Sequence, residues 1–260
     1  MARRDAPTRI VITGASRGIG AALASTYAGP GVSLLLVGRD RDRLAGICTM
    51  CRGRGAVADA LVRDTRDAAG LAAELLAFDG AAPVDLVIAN AGVALPTVAD
   101  PAVDTSVRGE VDINIGGTLN TVLPLLPALA GRGRGQVAIV SSLAAFAPLP
   151  GSPGYSASKA ALLVYGLALR QRLAQTGIGV SVVCPGYVET EMGARYRGWR
   201  PFLMSADAAA ARLRRGLAAD RALIAFPVLL AWAARASQFV PEPVLRRALR
   251  AFRFSVDRPG

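Results

Sequence analysis

Two residues four positions apart, Tyr155 and Lys159 in the segment YSASK, have the types and spacing for acid–base chemistry. Residues at i and i+4 share one face of a helix, so the phenol and the ammonium would lie side by side. A nearby ammonium favours the phenolate and lowers the phenol pKa from its ordinary value of about 10. Lys159 is also the only lysine of the chain, since every other basic residue is arginine. The pair therefore predicts a tyrosine that gives and takes protons near neutral pH.

No histidine occurs anywhere in the 260 residues. Ser-His-Asp and Cys-His catalysis are thereby excluded, as are metal sites that need imidazole. Three cysteines are too few for a disulfide framework, and Cys48 and Cys51 form a lone C-x-x-C that we interpret as two small helical residues. We expect no bound metal.

A pair of hydroxyls, Ser141 and Ser142, follows the apolar run QVAIV at residues 136–140. A hydroxyl at the end of a strand could hold the carbonyl oxygen of a substrate. The residues themselves leave both serines as candidates for that role.

A glycine-rich segment, TGASRGIG at residues 13–20, follows the first apolar run and precedes a helical pattern. Its glycines have the spacing G-x-x-x-G-x-G, at Gly14, Gly18 and Gly20. Glycine lets the backbone turn tightly and approach a pyrophosphate, and the helix that follows points its first N–H groups at the phosphate. The segment and its context therefore predict a dinucleotide site.

The end of the second apolar run, VGRD at residues 37–40, bears on which dinucleotide binds. An acid there would hydrogen-bond the ribose of NAD and repel a 2′-phosphate. Gly38 takes the acid's expected place and Arg39 follows it, while Arg17 lies in the glycine-rich segment. Two arginines there would bind a 2′-phosphate, so we predict NADP(H) rather than NAD(H). The alternative is that Arg39 is solvated and Asp40 takes the acid's role.

Apolar runs alternate with helical patterns along the chain, and this alternation predicts the architecture that positions these motifs. The runs that we interpret as strands cover residues 9–13, 32–37, 56–62, 84–89, 136–140 and 179–183. The helical patterns cover 18–28, 41–52, 67–78, 103–130 and 155–175, and we expect the long pattern over 103–130 to be broken. Apolar strands separated by helices are typical of a parallel sheet covered on both faces. We predict an α/β, doubly wound Rossmann-type fold in a single domain over residues 1–260.

Taken together, the motifs resemble those of the short-chain dehydrogenase/reductase family over about residues 8–220. The matching segments are TGASRGIG at 13–20, NAG at 90–92, VDINIGG around Asn114, Ser142, YSASK at 155–159 and PGYVET at 185–190. The resemblance implies a sheet of about seven strands. It also implies hydride transfer between a nicotinamide cofactor and a carbonyl or a secondary alcohol.

The resemblance further implies roles for four catalytic residues, Asn114, Ser142, Tyr155 and Lys159. Tyr155 would be the general acid–base, and Lys159 would lower its pKa and hold the nicotinamide ribose. The family's spacing selects Ser142 over Ser141 as the residue that orients the substrate oxygen. Asn114 would anchor a proton-relay water near Lys159.

The implied cofactor contacts lie at the carboxyl ends of the predicted strands. They are Gly14, Ser16, Arg17, Gly18, Ile19, Gly20, Arg39, Asp64, Thr65, Asn90, Ala91, Gly92, Tyr155, Lys159, Pro185, Gly186, Val188 and Thr190. Among these, Asp64 and Thr65 would meet the adenine, and the PGYVET residues would flank the nicotinamide.

Residues 191–204 lie where the family places a mobile lid over the substrate, and we predict a lid over about 187–215. This segment offers apolar side chains at Tyr196, Trp199, Phe202, Leu203 and Met204, and charge at Arg195, Arg197 and Arg200. The composition predicts a fairly large hydrophobic ketone or aldehyde, with or without an anionic group. The alternative is that these side chains only pack the lid. Ser205 is expected to begin the next helix.

The C-terminal extension, about residues 222–260, departs from the family's usual short ending. Its apolar run Ala222–Ala234 is too short to span a membrane, so residues 222–226 predict a seventh strand with a helix after Pro227. Residues 241–254 predict a basic amphipathic helix. That helix could make peripheral contact with an anionic membrane, cover the substrate pocket or form a subunit interface.

Basic residues outnumber acidic ones 30 to 19, for a formal charge of +11. The arginines are scattered and no aromatic residues interleave with them, so we expect no nucleic-acid partner. The beginning of the chain lacks a long apolar segment, which predicts no signal peptide, and we expect a cytoplasmic protein, with membrane association as an alternative. The resemblance implies a homo-oligomer, a dimer or a tetramer.

The function predicted from the sequence is an NADP(H)-dependent oxidoreductase that acts on a small-molecule carbonyl or alcohol. The alternative is a catalytically silent nucleotide-sensing or membrane-docking protein on the same fold.

Overall fold

The computed structural model describes residues 6–95, 106–251 and 255–256. Within these residues, seven strands form a central sheet. They are β1 (Arg9–Thr13), β2 (Ser33–Gly38), β3 (Val57–Val62), β4 (Leu86–Ala89), β5 (Gln136–Val140), β6 (Gly179–Pro185) and β10 (Leu223–Phe226). Every neighbouring pair is parallel, in the order β10-β6-β5-β4-β1-β2-β3. The predicted Rossmann-type fold is thereby confirmed.

Helices connect these strands on both faces of the sheet. The α-helices among the described residues are α1 (Gly18–Tyr27), α2 (Arg41–Gly53), α3 (Ala68–Ala81), α4 (Ser106–Glu110), α5 (Gly117–Val122), α6 (Leu126–Arg132), α7 (Pro153–Arg172), α8 (Glu191–Ala194), α9 (Ala206–Ala218), α10 (Val228–Ala236) and α11 (Glu242–Ala251). A π-helical segment, Val111–Gly116, joins α4 to α5, and 3₁₀ turns cover Leu143–Phe146 and Ser237–Phe239.

Four short strands lie outside the sheet and belong to the region after β6. They are β7 (Val188–Glu189), β8 (Tyr196–Arg197), β9 (Met204–Ser205) and β11 (Ser255–Val256). β7 pairs with β9 in parallel, and β8 pairs with β11 in antiparallel register. Residues 255–256 therefore lie beside the segment that was predicted to be the substrate lid.

The core is divided between the two faces because successive strand residues point to opposite sides. Ile10 and Ile12 of β1 pack into one apolar cluster with α1, α2 and α9, while Val11 packs into a second cluster with α3, α6 and α7. All three side chains are fully buried, and burying such a side chain contributes about 1.5–3 kcal/mol. Both faces are therefore covered, as a parallel sheet requires.

Element boundaries follow local chemistry that the apolar pattern does not encode. β1 and β5 have the predicted bounds, whereas β6 runs two residues further, to Pro185. The strong helix α7 begins two residues earlier than predicted, with Pro153 in its first turn, where a missing N–H costs nothing. Ser205 begins α9 as predicted, and its side chain accepts a hydrogen bond from the Ala208 N–H.

The helical region predicted over residues 103–130 begins outside the described residues and is broken, as expected. One stretch, Ser106–Arg132, is long and apolar enough to cross a membrane, with a mean hydropathy of 1.3. Its Val122, Leu125 and Leu129 are fully buried in the second apolar cluster, the one that contains Val11. We therefore interpret it as a core helix.

The chain order reverses between β1 and β4, because β2 and β3 lie on one side of β1 while β4 lies on the other. Parallel sheets bind ligands at such a switch point, outside the carboxyl ends of the strands. The glycine-rich segment follows β1 and the NAG segment follows β4, so the fold brings both to this place.

Candidate active site

A cavity of about 960 Å³ opens at the carboxyl ends of the central strands. Its size lies at the upper end of the range of ligand pockets, which run to about 1,000 Å³. All the predicted catalytic and cofactor residues line it except Gly20 and Asn114. Those two residues lie directly behind the lining.

The glycine-rich segment forms a cradle whose backbone leaves no room for side chains. Gly14 and Gly18 have φ values of +66° and +57°, in the left-handed region that favours glycine. A Cβ at Gly14 would lie 2.9 Å from the Cα of Ala91, and one at Gly20 would lie 2.1 Å from the Gly14 carbonyl oxygen. α1 then begins without a side-chain cap or an acid in its first turn. This cradle and helix start fit a pyrophosphate, since the first N–H groups of a helix bind anions.

Asn90 and Thr13 tie the end of β4 to the end of β1. The Asn90 side-chain amide donates to the carbonyls of Thr13 and Gly14, at 3.0 and 3.3 Å. The Thr13 hydroxyl in turn accepts from the N–H groups of Asn90 and Ala91, at 3.1 and 3.2 Å. These bonds fix the shape of the cradle, so the NAG segment shapes the nucleotide site as well as lining it.

The end of the cavity where we predict the adenosine part of the cofactor contains several ion pairs. Arg17 donates to the Glu191 carboxylate at 2.6 Å, and Arg43 binds the other oxygen of the same carboxylate. Asp40 caps α2 through the Arg43 N–H, at 3.1 Å, and pairs with its guanidinium. Arg39 is 57% exposed, with a guanidinium nitrogen 3.7 Å from Asp64. Arg17 and Arg39 thus both line the cavity, and their binding of a 2′-phosphate stays a prediction, while Arg43 and Glu191 were not anticipated.

Asp64 and Thr65 lie where the chain leaves β3, and both line the cavity. The Arg66 guanidinium binds Asp64 through both carboxylate oxygens, at 3.1 and 2.8 Å. Chiefly through these bonds, the pKa of Asp64 is lowered to about 2. Thr65 is buried, and its carbonyl accepts from the Asn120 side chain at 2.9 Å.

The tyrosine, the lysine and Ser142 meet at the floor of the cavity. The Ser142 hydroxyl lies close enough to the Tyr155 phenol to lower its pKa, and its oxygen accepts from the Ala144 N–H at 3.1 Å. Lys159 is 4% exposed, and its Nζ lies 5.7 Å from the centroid of the Tyr155 ring. Ser141 has a different environment, because its hydroxyl donates to the Lys159 carbonyl at 2.6 Å. Ser142 is therefore the serine that adjoins the tyrosine, while Ser141 fixes α7 to β5.

Burial shifts the pKa values of the tyrosine and the lysine in opposite directions, because it disfavours both charged forms. It raises the pKa of Tyr155 to about 12, although the nearby Ser142 hydroxyl lowers it, and the buried Glu110 carboxylate raises it further. It lowers the pKa of Lys159 to about 8. We expected Lys159 to lower the tyrosine pKa. In this structure desolvation outweighs any such effect, while the ammonium donates to the Val140 carbonyl at 3.0 Å.

Asn114 lies in the π-helical segment and is fully buried. Its side-chain oxygen accepts from the Val93 N–H at 2.7 Å, and its amide donates to the Val93 carbonyl and to the Ser158 hydroxyl, at 3.0 and 2.9 Å. A Cβ at Gly92 would lie 3.0 Å from the Asn114 oxygen and 3.2 Å from the Lys159 Nζ. Asn114 therefore fixes the strand end after β4 against α7, beside the lysine.

The segment after β6 forms the next wall. The Gly186 N–H donates to the Phe226 carbonyl at 2.8 Å, and the Thr190 hydroxyl accepts from the Gly193 N–H at 2.9 Å as the cap of α8. Pro185, Gly186, Val188 and Thr190 all line the cavity, and their contact with a nicotinamide stays a prediction. Tyr187 lines it too, and burial raises the pKa of its phenol.

Side chains of the predicted lid lie in three different environments: the cavity lining, the solvent and the apolar core. Tyr196, Arg195 and Arg200 line the cavity, and burial raises the Tyr196 pKa. Contrary to expectation, Trp199, Phe202 and Leu203 are exposed and are absent from the cavity lining. Met204 packs on the core cluster beside α1. Residues 206–215 lie in α9, whose apolar face is buried in that same core.

The C-terminal extension supplies wall residues that the sequence did not identify individually. Leu230, Ala233 and Ala234 of α10, Ser237, and Leu245 of α11 line the cavity. Gln238 donates to the Phe146 carbonyl at 3.2 Å and so holds the extension against the Leu143–Phe146 turn. Leu245 therefore covers part of the pocket, which is one of the three alternatives predicted for the basic helix. Residues 252–254, at the end of the predicted basic helix, lie outside the described residues.

Comparison with known proteins gives the family of this chain. Residues 8–201 match the model of the short chain dehydrogenase family. An uncharacterized oxidoreductase of Myxococcus xanthus is 35% identical over 94% of this chain and 96% of its own length. A short-chain dehydrogenase of Sphingobium yanoikuyae, solved with NADPH, is 27% identical with a TM-score of 0.77, over 94% of this chain and 95% of its own. One from Mycobacterium paratuberculosis, solved with NAD, is also 27% identical, with a TM-score of 0.74, over 84% and 94%.

This chain belongs to the short-chain dehydrogenase family and is an oxidoreductase of that type. Its structural relatives bind NADPH in one case and NAD in the other.

Proposed function

We propose that this protein is an NADP(H)-dependent carbonyl reductase in which Tyr155 gives the proton to the substrate oxygen. The observation that carries the proposal is the meeting of Tyr155, Ser142 and Lys159 on the floor of the cavity that also holds the glycine cradle. A nicotinamide dinucleotide, when bound, supplies the hydride to the carbonyl carbon. The remaining chemistry is proton transfer and charge stabilisation, which the side chains provide.

Ser142 and Tyr155 would hold the carbonyl oxygen of the substrate between their hydroxyls. With a pKa of about 12, the phenol is protonated at neutral pH and so serves as the acid in the direction of reduction. As the carbonyl oxygen gains negative charge, the phenol proton moves to it and the oxygen becomes a hydroxyl. The buried Lys159 ammonium stabilises the phenolate that remains, because charges attract strongly where water is excluded.

The preference for NADP(H) rests on the charged end of the cavity. Arg17 and Arg39 both line it, and a guanidinium binds a phosphate through two parallel hydrogen bonds. Asp40, the alternative partner for a ribose, is already engaged as the cap of α2 and with Arg43. The residues therefore favour a 2′-phosphate over a free ribose hydroxyl.

The wall opposite the cradle suits a hydrophobic ketone or aldehyde. Leu143, Leu149, Leu230 and Ala234 supply apolar surface there, and Arg195 and Arg200 supply positive charge. A substrate with an apolar body, with or without an anionic group, matches this lining.

Replacement of Tyr155 by Phe tests the proposal. We expect turnover of ketones with NADPH to fall about a hundredfold to ten-thousandfold, because the proton donor is lost, while NADPH still raises the melting temperature. Steady-state rates over a panel of hydrophobic ketones and thermal shifts with NADPH and NADH provide the measurement.

Tyr165→Phe is the matched control, because Tyr165 also lies on α7 and its buried hydroxyl has no hydrogen-bond partner among the described residues. Its rate should equal that of the wild type. Full turnover in Tyr155→Phe would contradict the assignment of the proton donor, and a larger thermal shift with NADH would contradict the cofactor preference.

A further inference from the structure

The outer face of α10 carries apolar side chains that contact solvent. Val228, Leu229 and Trp232 are 63%, 67% and 67% exposed, and Ala233 and Ala236 on the same face are exposed too. These positions follow the spacing i, i+1, i+4, i+5 and i+8, which is one stripe of a helix. Soluble proteins rarely leave such a continuous apolar stripe exposed without using it as a contact surface.

The inner face of the same helix is already used. Ala231 belongs to the same apolar cluster as Phe146 and Leu163, and Leu230 packs against that cluster and also lines the cavity. α10 is therefore fixed in place, with one apolar face buried and a second one directed outward.

Two further segments that border the same cavity also expose large apolar side chains. Phe239, just beyond α10, is 88% exposed, and Trp199 and Phe202 of the lid are 70% and 53% exposed. Both segments also line the cavity, through Ser237 on one side and Tyr196 on the other. We name the exposed set the apolar rim: Trp199, Phe202, Val228, Leu229, Trp232 and Phe239.

The segments that carry the apolar rim are strongly basic. Residues 192–206 and 228–247 contain six arginines and a single acid, Glu242. Glu242 itself is paired with Arg246 within α11. An occupant that is both apolar and anionic therefore matches the composition of these segments.

That combination selects among the candidate occupants. A second copy of the chain would bring arginines against arginines with almost no acids to pair with them. A bilayer with anionic lipids offers hydrocarbon to the aliphatic side chains, an interfacial zone that tryptophan prefers, and negative headgroups for the arginines.

We propose that the apolar rim docks the protein on an anionic membrane surface, so that the cavity wall formed by α10 and the lid lies next to the lipid. This docking goes beyond the proposed reductase activity and does not depend on it. It would let apolar molecules pass between the bilayer and the cavity.

Vesicle binding by the full chain tests this proposal. The probes are vesicles of phosphatidylcholine alone and vesicles of equal parts phosphatidylcholine and phosphatidylglycerol. The two tryptophans of the chain, Trp199 and Trp232, both belong to the apolar rim, so a blue shift of intrinsic fluorescence reports contact directly. We expect co-sedimentation and a blue shift with the anionic vesicles, weakened by salt, and neither with phosphatidylcholine alone.

Leu229→Ser is the test variant and Leu76→Ser is its matched control. Leu76 is 48% exposed on α3, away from the apolar rim, so both changes remove the same exposed side chain. We expect Leu229→Ser to lower vesicle affinity about tenfold with an unchanged melting temperature, and Leu76→Ser to have no effect.

Three results would overturn the proposal. One is failure of the wild type to bind anionic vesicles, and another is equal loss of binding in both leucine variants. The third is a concentration-dependent dimer in sedimentation that Leu229→Ser dissociates, without vesicle binding by the wild type, since that would assign the rim to a second copy.

Discussion

At the scale of single residues, burial governs the chemistry of the proposed catalytic pair. Desolvation raises the pKa of Tyr155 to about 12 and lowers that of Lys159 to about 8. The phenol therefore keeps its proton across the physiological range, whereas the ammonium loses its charge in mildly alkaline solution. The sequence predicts the pair from its spacing, but burial, which fixes the direction of the tyrosine shift, is a property of the folded chain.

The pH dependence of reduction should follow Lys159. Because the charged ammonium stabilises the phenolate, turnover should fall as the pH rises through about 8, where Lys159 loses its proton. The tyrosine, with a pKa of about 12, should add no falling limb below that value. A pH–rate profile of ketone reduction at saturating NADPH provides the measurement.

Lys159→Arg is the control for this profile. A guanidinium keeps its charge in alkaline solution, so the residual activity of the variant should lack the falling limb. A wild-type rate that stays constant from about pH 7 to pH 10 would contradict the role assigned to the lysine.

Glu191 should weaken NADPH binding, because its carboxylate occupies Arg17 and Arg43 where a 2′-phosphate would compete for Arg17. Both guanidinium groups lower the Glu191 pKa, so it stays charged at neutral pH. The pairs are about half exposed and contribute at most about 1 kcal/mol. We expect Glu191→Gln to tighten NADPH binding about twofold to fivefold and to leave NADH binding unchanged.

Calorimetric titration of both cofactors provides the measurement. Glu189→Gln removes a neighbouring exposed carboxylate and should change neither affinity. Weaker NADPH binding by Glu191→Gln would instead mean that Glu191 positions Arg17 for the cofactor.

At the scale of elements, alternation of apolar runs and helical patterns predicts most of the fold. Six strands and their crossover helices follow from this pattern, and Leu223–Phe226 adds the seventh at the edge. Boundaries depend on caps and turns, as at Pro153 and Ser205. The π-helical segment around Asn114 was predicted only as a break, because hydrogen bonds to Val93 and Ser158 hold it in place.

A side chain at Gly20 should distort the glycine cradle and weaken NADPH binding. In Gly20→Ala the new Cβ would lie 2.1 Å from the Gly14 carbonyl oxygen, so the loop must move. We expect a loss of about 1–3 kcal/mol of stability and at least about a tenfold loss of NADPH affinity. Denaturant titration and cofactor titration provide the two measurements.

Gly46→Ala is the control for this change. Gly46 is exposed in α2, and a Cβ there would have no neighbour within 4 Å. Alanine should stabilise that helix by about 0.5–1 kcal/mol and leave NADPH binding unchanged. Equal cofactor affinity in the two variants would contradict the role of Gly20 in shaping the cradle.

At the scale of the whole molecule, distant parts of the chain meet around one cavity. Arg17 and Glu191 are 174 residues apart in sequence, and Gln238 reaches Phe146 across 92 residues. No local pattern predicts such pairs, which explains why Arg43, Glu191 and the α10 wall were not identified from the sequence. The motifs themselves were predictable, because their spacing is local to single strand–helix connections.

Transfer of a labelled hydride tests the central claim, reduction of a carbonyl in this cavity, most directly. NADPH carrying two deuterium atoms at the donating nicotinamide carbon would be incubated with a panel of hydrophobic ketones and aldehydes, and the alcohol products would be analysed by mass spectrometry. We predict one deuterium per alcohol with the wild type, and at least about a hundredfold less labelled product with Tyr155→Phe over the same time. Absence of labelled alcohol across the panel, although NADPH raises the melting temperature of the wild type, would contradict the claim.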